Sequence, residues 1–339
     1  MENIKYMDKN LIKKLRLELQ KALEEYDGEE KIKLNINLDE LEMLIFTVNN
    51  GKKSISFNFE LIKKLDLTGV SFEGVDISGL NFEGSYGVKI NPQTVYLKDL
   101  QGTILKDTEI SGSFDKVCIK ETNFAGSKGA VIDPQTIYGK DLYRTNLKDA
   151  EIKGTLDGIF IEGANFTGSK GAVINPQTVY NKSLEHSILK DAIIKGSLAG
   201  VNIRYTDFTG SKGAVINPQT IYSKSLYKTV LKDTTIVGIF DDVCIKETNF
   251  SGSKGAVIDP QTVYERNLYR TVLKDTEIKG SLAGVNSKGT DFTGSKGAVI
   301  TTSYTDISSC KGLEDVEMYD DLGVYERITK EIHRKILKK

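Results

Sequence analysis

The sequence predicts a solenoid of stacked repeats, and two spacings carry that prediction. Its five prolines are Pro92, Pro134, Pro176, Pro218 and Pro260, evenly spaced at a period of 42. Aligned on them, five full units start at Gly84, Gly126, Gly168, Gly210 and Gly252, and a sixth begins at Gly294 and loses its pattern after Ile300. Self-similarity at a fixed period of this length marks a repeat architecture, a length that WD40 blades and paired-helix arrays share. The interior of the unit decides between them. Leu67, Phe72, Ile77 and Phe82 recur every five residues, each followed two positions later by Gly69, Gly74, Gly79 or Gly84. The rhythm returns at Leu142, Leu147 and Ile152, then at Leu156, Ile161 and Phe166, with the smaller or branched Ala150, Ile159 and Ala164 two positions before several of these. Five is neither the two-residue period of a strand nor the roughly 3.6-residue period of a helix. One large and one smaller inward residue per five suits a short straight face that turns a corner and starts again.

The segments Ala164-Asn165-Phe166-Thr167-Gly168 and Thr145-Asn146-Leu147-Lys148-Asp149 show the unit directly: a small residue, Asn, a large apolar residue and two polar ones. Iterated over roughly residues 65 to 300, about two thirds of the chain, this pattern resembles the pentapeptide-repeat family. The resemblance implies a mainly-β fold, a right-handed quadrilateral β-helix in which four five-residue faces make one coil. Each 42-residue unit is then two coils with two residues to spare. The interval from Phe124 to Leu142 is 18, three faces plus three, and that from Leu142 to Phe166 is 24, five faces minus one. With the lead-in, about eleven coils at a strand spacing of about 4.8 Å would stack to about 50 Å.

The core is expected to be columns of like residues: Phe82, Phe124, Phe166, Phe208, Phe250 and Phe292 in one, and Leu105, Leu147, Leu189, Leu231 and Leu273 in another. Each such side chain contributes on the order of 1.5 to 3 kcal/mol when buried. The spare residues lie in the recurring segment Gly-Ser-Lys-Gly-Ala-Val-Ile-(Asn/Asp)-Pro-Gln-Thr-(Ile/Val)-Tyr, whose first copy has Tyr86 in place of the Lys. Asn or Asp before Pro reads as an N-cap with proline at the first helical position. Ile90 with Val95, Ile132 with Ile137 and Ile174 with Val179 occupy the positions of a hydrophobic staple. A short helical turn is therefore predicted at one corner of alternate coils.

The five-residue period bounds three regions. Residues 1–60 lack it and read as an α+β N-terminal cap domain: Leu11, Leu15, Leu19, Leu23 and Tyr26 form a helical stripe, Ile32, Leu34 and Ile36 alternate as in a strand, and Asn50-Gly51 signals a hairpin. Residues 61–302 form the repeat region. Residues 303–339 carry a stripe at Val324, Ile328, Ile332 and Ile336 that predicts a C-terminal helix covering the last coil or serving as a homodimer contact. The charged N-terminus and short apolar runs show neither secretory signal nor membrane span, so a cytoplasmic location is expected. Cys118 and Cys244 occupy equivalent positions about six coils, roughly 29 Å, apart, too far for a disulfide.

Chemistry of the catalytic kind finds little footing, so no enzyme activity, cofactor or metal site is expected. His186 and His333 are the only histidines, without triad or ligand spacing around them; His186 falls where other units carry Gly102, Arg144, Lys228 and Arg270, and reads as a tolerant surface position. The recurring Gly-Ser-Lys-Gly lacks the spacer and ending of a phosphate loop and reads as tight backbone at a corner. The Lys-Asp pairs from Lys106-Asp107 to Lys274-Asp275 read as solvated charge. Two tyrosine ladders remain. Tyr143-Arg144, Tyr227-Lys228 and Tyr269-Arg270 should point outward, and aromatic residues beside Arg are favoured at interfaces. Tyr96, Tyr138, Tyr180, Tyr222 and Tyr264 form the second ladder, in the proline segment, and half or more of it is expected to pack that segment onto the solenoid.

Some members of the resembled family imitate duplex DNA, bind type II topoisomerases and protect them from quinolones. That alternative role requires an acidic surface, yet residues 66–302 hold 27 Lys and Arg against 27 Asp and Glu. Such balance cannot reproduce a phosphate backbone with one charge per about 1.7 Å, and it equally disfavours nucleic-acid binding. The sequence therefore points to a non-enzymatic scaffold or protein-interaction solenoid with an unnamed protein partner.

Overall fold

The pentapeptide explains itself at each corner. Asn146 Oδ1 accepts the backbone N–H of Lys148 at 3.1 Å, Ala150 N–H donates to Leu147 O at 3.0 Å, and Asp149 takes φ 62°. This is a tight turn with a left-handed third residue, the geometry of a type II turn. The Asn opens the turn, the Leu points inward, and two polar residues go round the corner. Thr145, fully buried, faces inward as well and gives its hydroxyl to Ile119 O at 2.9 Å, so a polar side chain is satisfied inside the core.

A computed structural model of the chain describes residues 32–38, 41–49, 54–56, 72–74, 77–85, 87–301, 307, 309–319 and 325–327. They belong to two units, Met1–Ala172 and Val173–Lys339. Both contain mainly-β solenoid, about eleven turns in all. Pairing between successive coils is parallel and its offset alternates. In the first unit Ile104 pairs with Asn123, an offset of 19, and Asn123 with Asn146, an offset of 23. In the second, Val230 pairs with Asn249 and Asn249 with Val272, again 19 and 23. The two offsets together make up the 42-residue period.

The structure locates the spare residues more finely than the sequence did. Lys128 pairs back to Glu109, whereas Val131, three residues later, pairs forward to Glu151. The second unit repeats the step with Lys212 to Ile193 and Val215 to Thr235. The three extra residues are thus a bulge in the Gly-Ser-Lys-Gly stretch, and the proline lies beyond it. Glycine is required at that bulge: Gly213 has φ +79°, and a Cβ there would stand 2.5 Å from Ile194 O.

The expected helical turn is replaced by two tight turns of different hand. Thr178 N–H donates to Asn175 O at 3.1 Å and Asn175 Oδ1 accepts Gln177 N–H at 3.2 Å, so the Asn-Pro capping chemistry is present but closes a single β-turn. Val179 is then extended (φ −61°, ψ 153°) and Tyr180–Lys182 turns with left-handed Asn181 and Lys182. Val179 must reach the core, where it is 3% exposed, and one turn of helix gains too few hydrogen bonds to offset its nucleation. With no helix, the paired apolar residues are both core rather than a staple. The glutamine of the segment has a role that the sequence reading missed: Gln177 Nε2 donates to Ser197 O at 2.8 Å and Ala199 O at 2.7 Å in the next coil. Gln93, Gln135, Gln219 and Gln261 make the same pair of bonds.

The core columns form as expected. Phe82, Phe124 and Phe166 with Leu105 and Leu147 are fully buried in the first unit, as are Phe208, Phe250 and Phe292 with Leu189, Leu231 and Leu273 in the second. Edge-on ring contacts join neighbouring faces, Phe114 to Phe124 at 5.3 Å and Phe240 to Phe250 at 5.5 Å.

Ile32–Leu38, Leu41–Asn49 and Ser54–Ser56 form an antiparallel sheet in chain order, which places Ile32, Leu34 and Ile36 on a strand. The Leu11 to Tyr26 stripe and the Asn50-Gly51 pair lie outside the described residues. At the other end, Glu277–Ser281, Lys296–Thr301 and Glu317–Tyr319 pair in parallel, and Tyr325–Arg327 closes the sheet antiparallel to Glu317–Tyr319. Those three residues were expected in the first turn of the C-terminal helix. A strand wins there because the last parallel strand otherwise presents unpaired backbone groups. Ile328, Ile332 and Ile336 lie outside the described residues.

Candidate functional site

The first tyrosine ladder sits where the residue after an inward Leu or Ile turns the corner. Tyr143, Tyr227 and Tyr269 are half-buried, while Arg144, Lys228 and Arg270 are exposed and left-handed, with φ 51°, 55° and 52°. That conformation folds each cation back over its own neighbour. Arg144 lies 5.0 Å from the Tyr143 ring, Lys228 5.2 Å from Tyr227 and Arg270 5.0 Å from Tyr269, within the range of cation–π attraction.

Alternate coils supply partners that a 42-residue alignment does not show. In the first unit Lys120 reaches to 5.1 Å from the Tyr143 ring, and Phe160 stacks on that ring at 5.6 Å with planes 5° apart. In the second unit Tyr205 N–H donates to Tyr227 O, and Glu247 N–H to Tyr269 O, so Tyr205 adjoins Tyr227 and Glu247 lies between Tyr227 and Tyr269. Tyr205 meets Tyr227 edge-on at 5.2 Å and stacks with His186 at 4.3 Å. Lys228 stands 5.5 Å from Tyr205 as well. Tyr227 donates its hydroxyl to Glu247 Oε1 at 3.2 Å, and Lys228 Nζ is 3.7 Å from Glu247 Oε2. Hydrogen bonding with Tyr227, then the Glu247 carboxylate, holds the Lys228 ammonium above its ordinary pKa. His186 is exposed, as expected, but its ring belongs to this cluster rather than being idle.

The second ladder departs from expectation. Tyr138, Tyr180, Tyr222 and Tyr264 are 67%, 52%, 53% and 44% exposed, and of the five only Tyr96 is half-buried. These rings are surface, because Val179 and its equivalents, not the tyrosines, anchor the segment to the core. Tyr264 is hydrogen-bonded to Glu265, which raises its pKa; Lys246 and Tyr264 in turn hold Glu265 low.

Cys118, Cys244 and Cys310 form no disulfide, and burial pushes the Cys118 pKa up. Among the described residues no group of three or more His, Cys, Asp or Glu side chains could hold a metal ion, and no helix is long and apolar enough to cross a membrane.

No family model and no curated protein matches the chain. Among solved structures it is similar to HetL, a pentapeptide repeat protein involved in heterocyst differentiation regulation from the cyanobacterium Nostoc sp. strain PCC 7120, with 16% identity over 70% of this chain and 90% of that one and a TM-score of 0.20. A second similarity is to QnrB1, a plasmid-mediated fluoroquinolone resistance protein in trypsin-treated form, with 14% identity over 71% and 87% of the two chains and a TM-score of 0.11. The solenoid and its five-residue faces rest on the chain's own coil geometry, which is consistent with the pentapeptide-repeat family.

Proposed function

We propose that this protein is a non-enzymatic interaction scaffold whose partner is a protein, bound through Tyr227-Lys228 and Tyr269-Arg270 of the second unit, with Tyr143-Arg144 offering the same pair of residue types in the first unit taken by itself. The observation that supports this reading is the cluster of His186, Tyr205, Tyr227, Lys228 and Glu247. Its rings and charges hold one another in place while the Lys and His remain exposed. Side chains already ordered lose less entropy on binding, and tyrosine and arginine are the residue types that dominate interface energetics. The cluster offers stacking faces, donors and one carboxylate, which is recognition chemistry.

The test replaces Tyr143, Tyr227 and Tyr269 together by Ser and uses the intact and triple-variant proteins in parallel for affinity capture. Circular dichroism should be unchanged, and a protein retained by the intact chain should be lost or markedly reduced with the variant. A partner held equally by both refutes this choice of face.

A further inference from the structure

The exposed tyrosines of the second ladder are not absorbed by that reading, and their spacing carries information. In the second unit Asn202 N–H donates to Lys182 O, and Tyr222 N–H to Val201 O. One coil therefore lies between Tyr180 and Tyr222. Cys244 N–H to Lys224 O and Tyr264 N–H to Val243 O place one coil between Tyr222 and Tyr264 in the same way. Equivalent rings thus recur every two coils, about 9.6 Å at the strand spacing. Each ring is followed two residues on by a cation, Lys182, Lys224 or Arg266, that shares the left-handed turn.

The intervening coil is low where it passes between Tyr180 and Tyr222. It presents Ala199 and Gly200, and a Cβ built on Gly200 has nothing within 4 Å. The line reads as ridge, notch, ridge from Tyr180 to Tyr222, while the position between Tyr222 and Tyr264 carries Asp242. A ligand that uses successive ridges must itself repeat at that two-coil interval. An extended β-strand returns to the same face about every 6.6 Å, and two turns of an α-helix advance about 10.8 Å. A polyproline II helix advances about 9.3 Å per three-residue turn, the closest fit of the three. Proline-rich segments in that conformation dock against aromatic side chains. Charge adds the second requirement: each ridge carries a cation, Lys182, Lys224 or Arg266, against Asp242 and a Glu265 already paired with Lys246, so the ligand should be acidic.

We propose that Tyr180, Tyr222 and Tyr264 form a binding ladder for an acidic polyproline II segment of a partner protein, with proline seated at successive tyrosines and an acidic residue once per turn beside Lys182, Lys224 and Arg266. This ladder uses none of the residues of the first one, so either can fail alone.

The probe is a fluorescent synthetic peptide of six Pro-Pro-Glu triplets, titrated into the full chain by anisotropy. Two variants accompany it: Tyr180→Ser/Tyr222→Ser/Tyr264→Ser, which removes the ridges, and Lys182→Glu/Lys224→Glu/Arg266→Glu, which reverses the charge beside each ridge. The second should fold, because glutamate already occupies left-handed turn positions of this unit, Glu247 at φ 57° and Glu265 at φ 54°. Saturable binding to the intact chain is expected, weakened about tenfold or more in both variants with circular dichroism unchanged. A peptide of the same composition rearranged to a four-residue period should bind at least several-fold more weakly. Absence of saturable binding overturns the proposal, as does equal binding by the variants or by the rearranged peptide. Tighter binding of oligomannuronate than of the triplet peptide also overturns it, in favour of an acidic glycan.

Discussion

Substituting alanine at Gly213 and, separately, at Gly200 isolates the backbone approach that sets the coil geometry. Both glycines have positive φ, +79° and +69°, so both substitutions carry the left-handed penalty of about 1 to 2 kcal/mol. They differ in surroundings. At Gly213 the new methyl would meet Ile194 O at 2.5 Å and Ile194 C at 3.6 Å, whereas at Gly200 nothing lies within 4 Å. The obstacle at Gly213 is main chain and cannot rotate away. Ile194 N–H donates to Lys212 O at 2.8 Å and Lys212 N–H to Ala192 O at 2.9 Å, so making room means pulling apart two inter-coil bonds beside the bulge. Overpacking of this kind costs about 1 to 3 kcal/mol. Gly213→Ala should therefore lose about 2 to 5 kcal/mol and Gly200→Ala about 1 to 2. Equilibrium urea unfolding followed by circular dichroism measures both, with the slope checked for constancy. Equal losses would refute the argument that the Gly-Ser-Lys-Gly step is dictated by contact with the preceding coil.

Three further outcomes are expected. Phe250→Ala removes a fully buried ring and should destabilise by about 3 to 5 kcal/mol, read from the same unfolding curves. Gln177→Ala removes two hydrogen bonds between coils at a partly exposed site and should cost about 1 to 2 kcal/mol, with hydrogen exchange quickening first near residues 197–201. Glu265→Gln removes the carboxylate that raises the Tyr264 pKa, so the Tyr264 hydroxyl should ionise at lower pH, closer to an ordinary tyrosine, in an ultraviolet or NMR titration. Glu265 itself has a depressed pKa, so whatever its contact with Lys246 contributes is present at neutral pH and fades as pH falls through the folded-state value.

The core was legible because burial leaves a periodic trace: Phe250 and Leu231 sit inside for the reason their spacing suggested. The two-coil unit was legible too, from the intervals flanking Leu142. The hand of the turn at Tyr180–Lys182 was not, because Asn-Pro caps a β-turn as readily as a helix and only packing of Val179 decides between them. The candidate faces were half legible for a related reason. Alignment on the proline period compares a coil with the next but one, so Tyr227 was seen beside Tyr269 but not beside Tyr205 and Glu247, which are its neighbours in space. Their sequence separations, 22 and 20, together make up the same 42-residue period as the coil offsets of 19 and 23. Exposure of the second ladder was misread because an inserted aromatic residue usually packs, whereas here the preceding Ile or Val fills that place.

Central to this picture is the proline-to-proline unit, one short coil of offset 19 followed by one long coil of offset 23, as the indivisible element of the stack. Thermal unfolding of two deletions tests it directly, one lacking residues 211–252 and the other residues 211–231. The first removes a whole unit and restores every pairing, so it should fold with the parent's spectrum per residue and a cooperative transition. The second joins Gly210 to Lys232, sets bulge against the wrong face and should lose the cooperative transition. Comparable cooperative unfolding in both would contradict the claim.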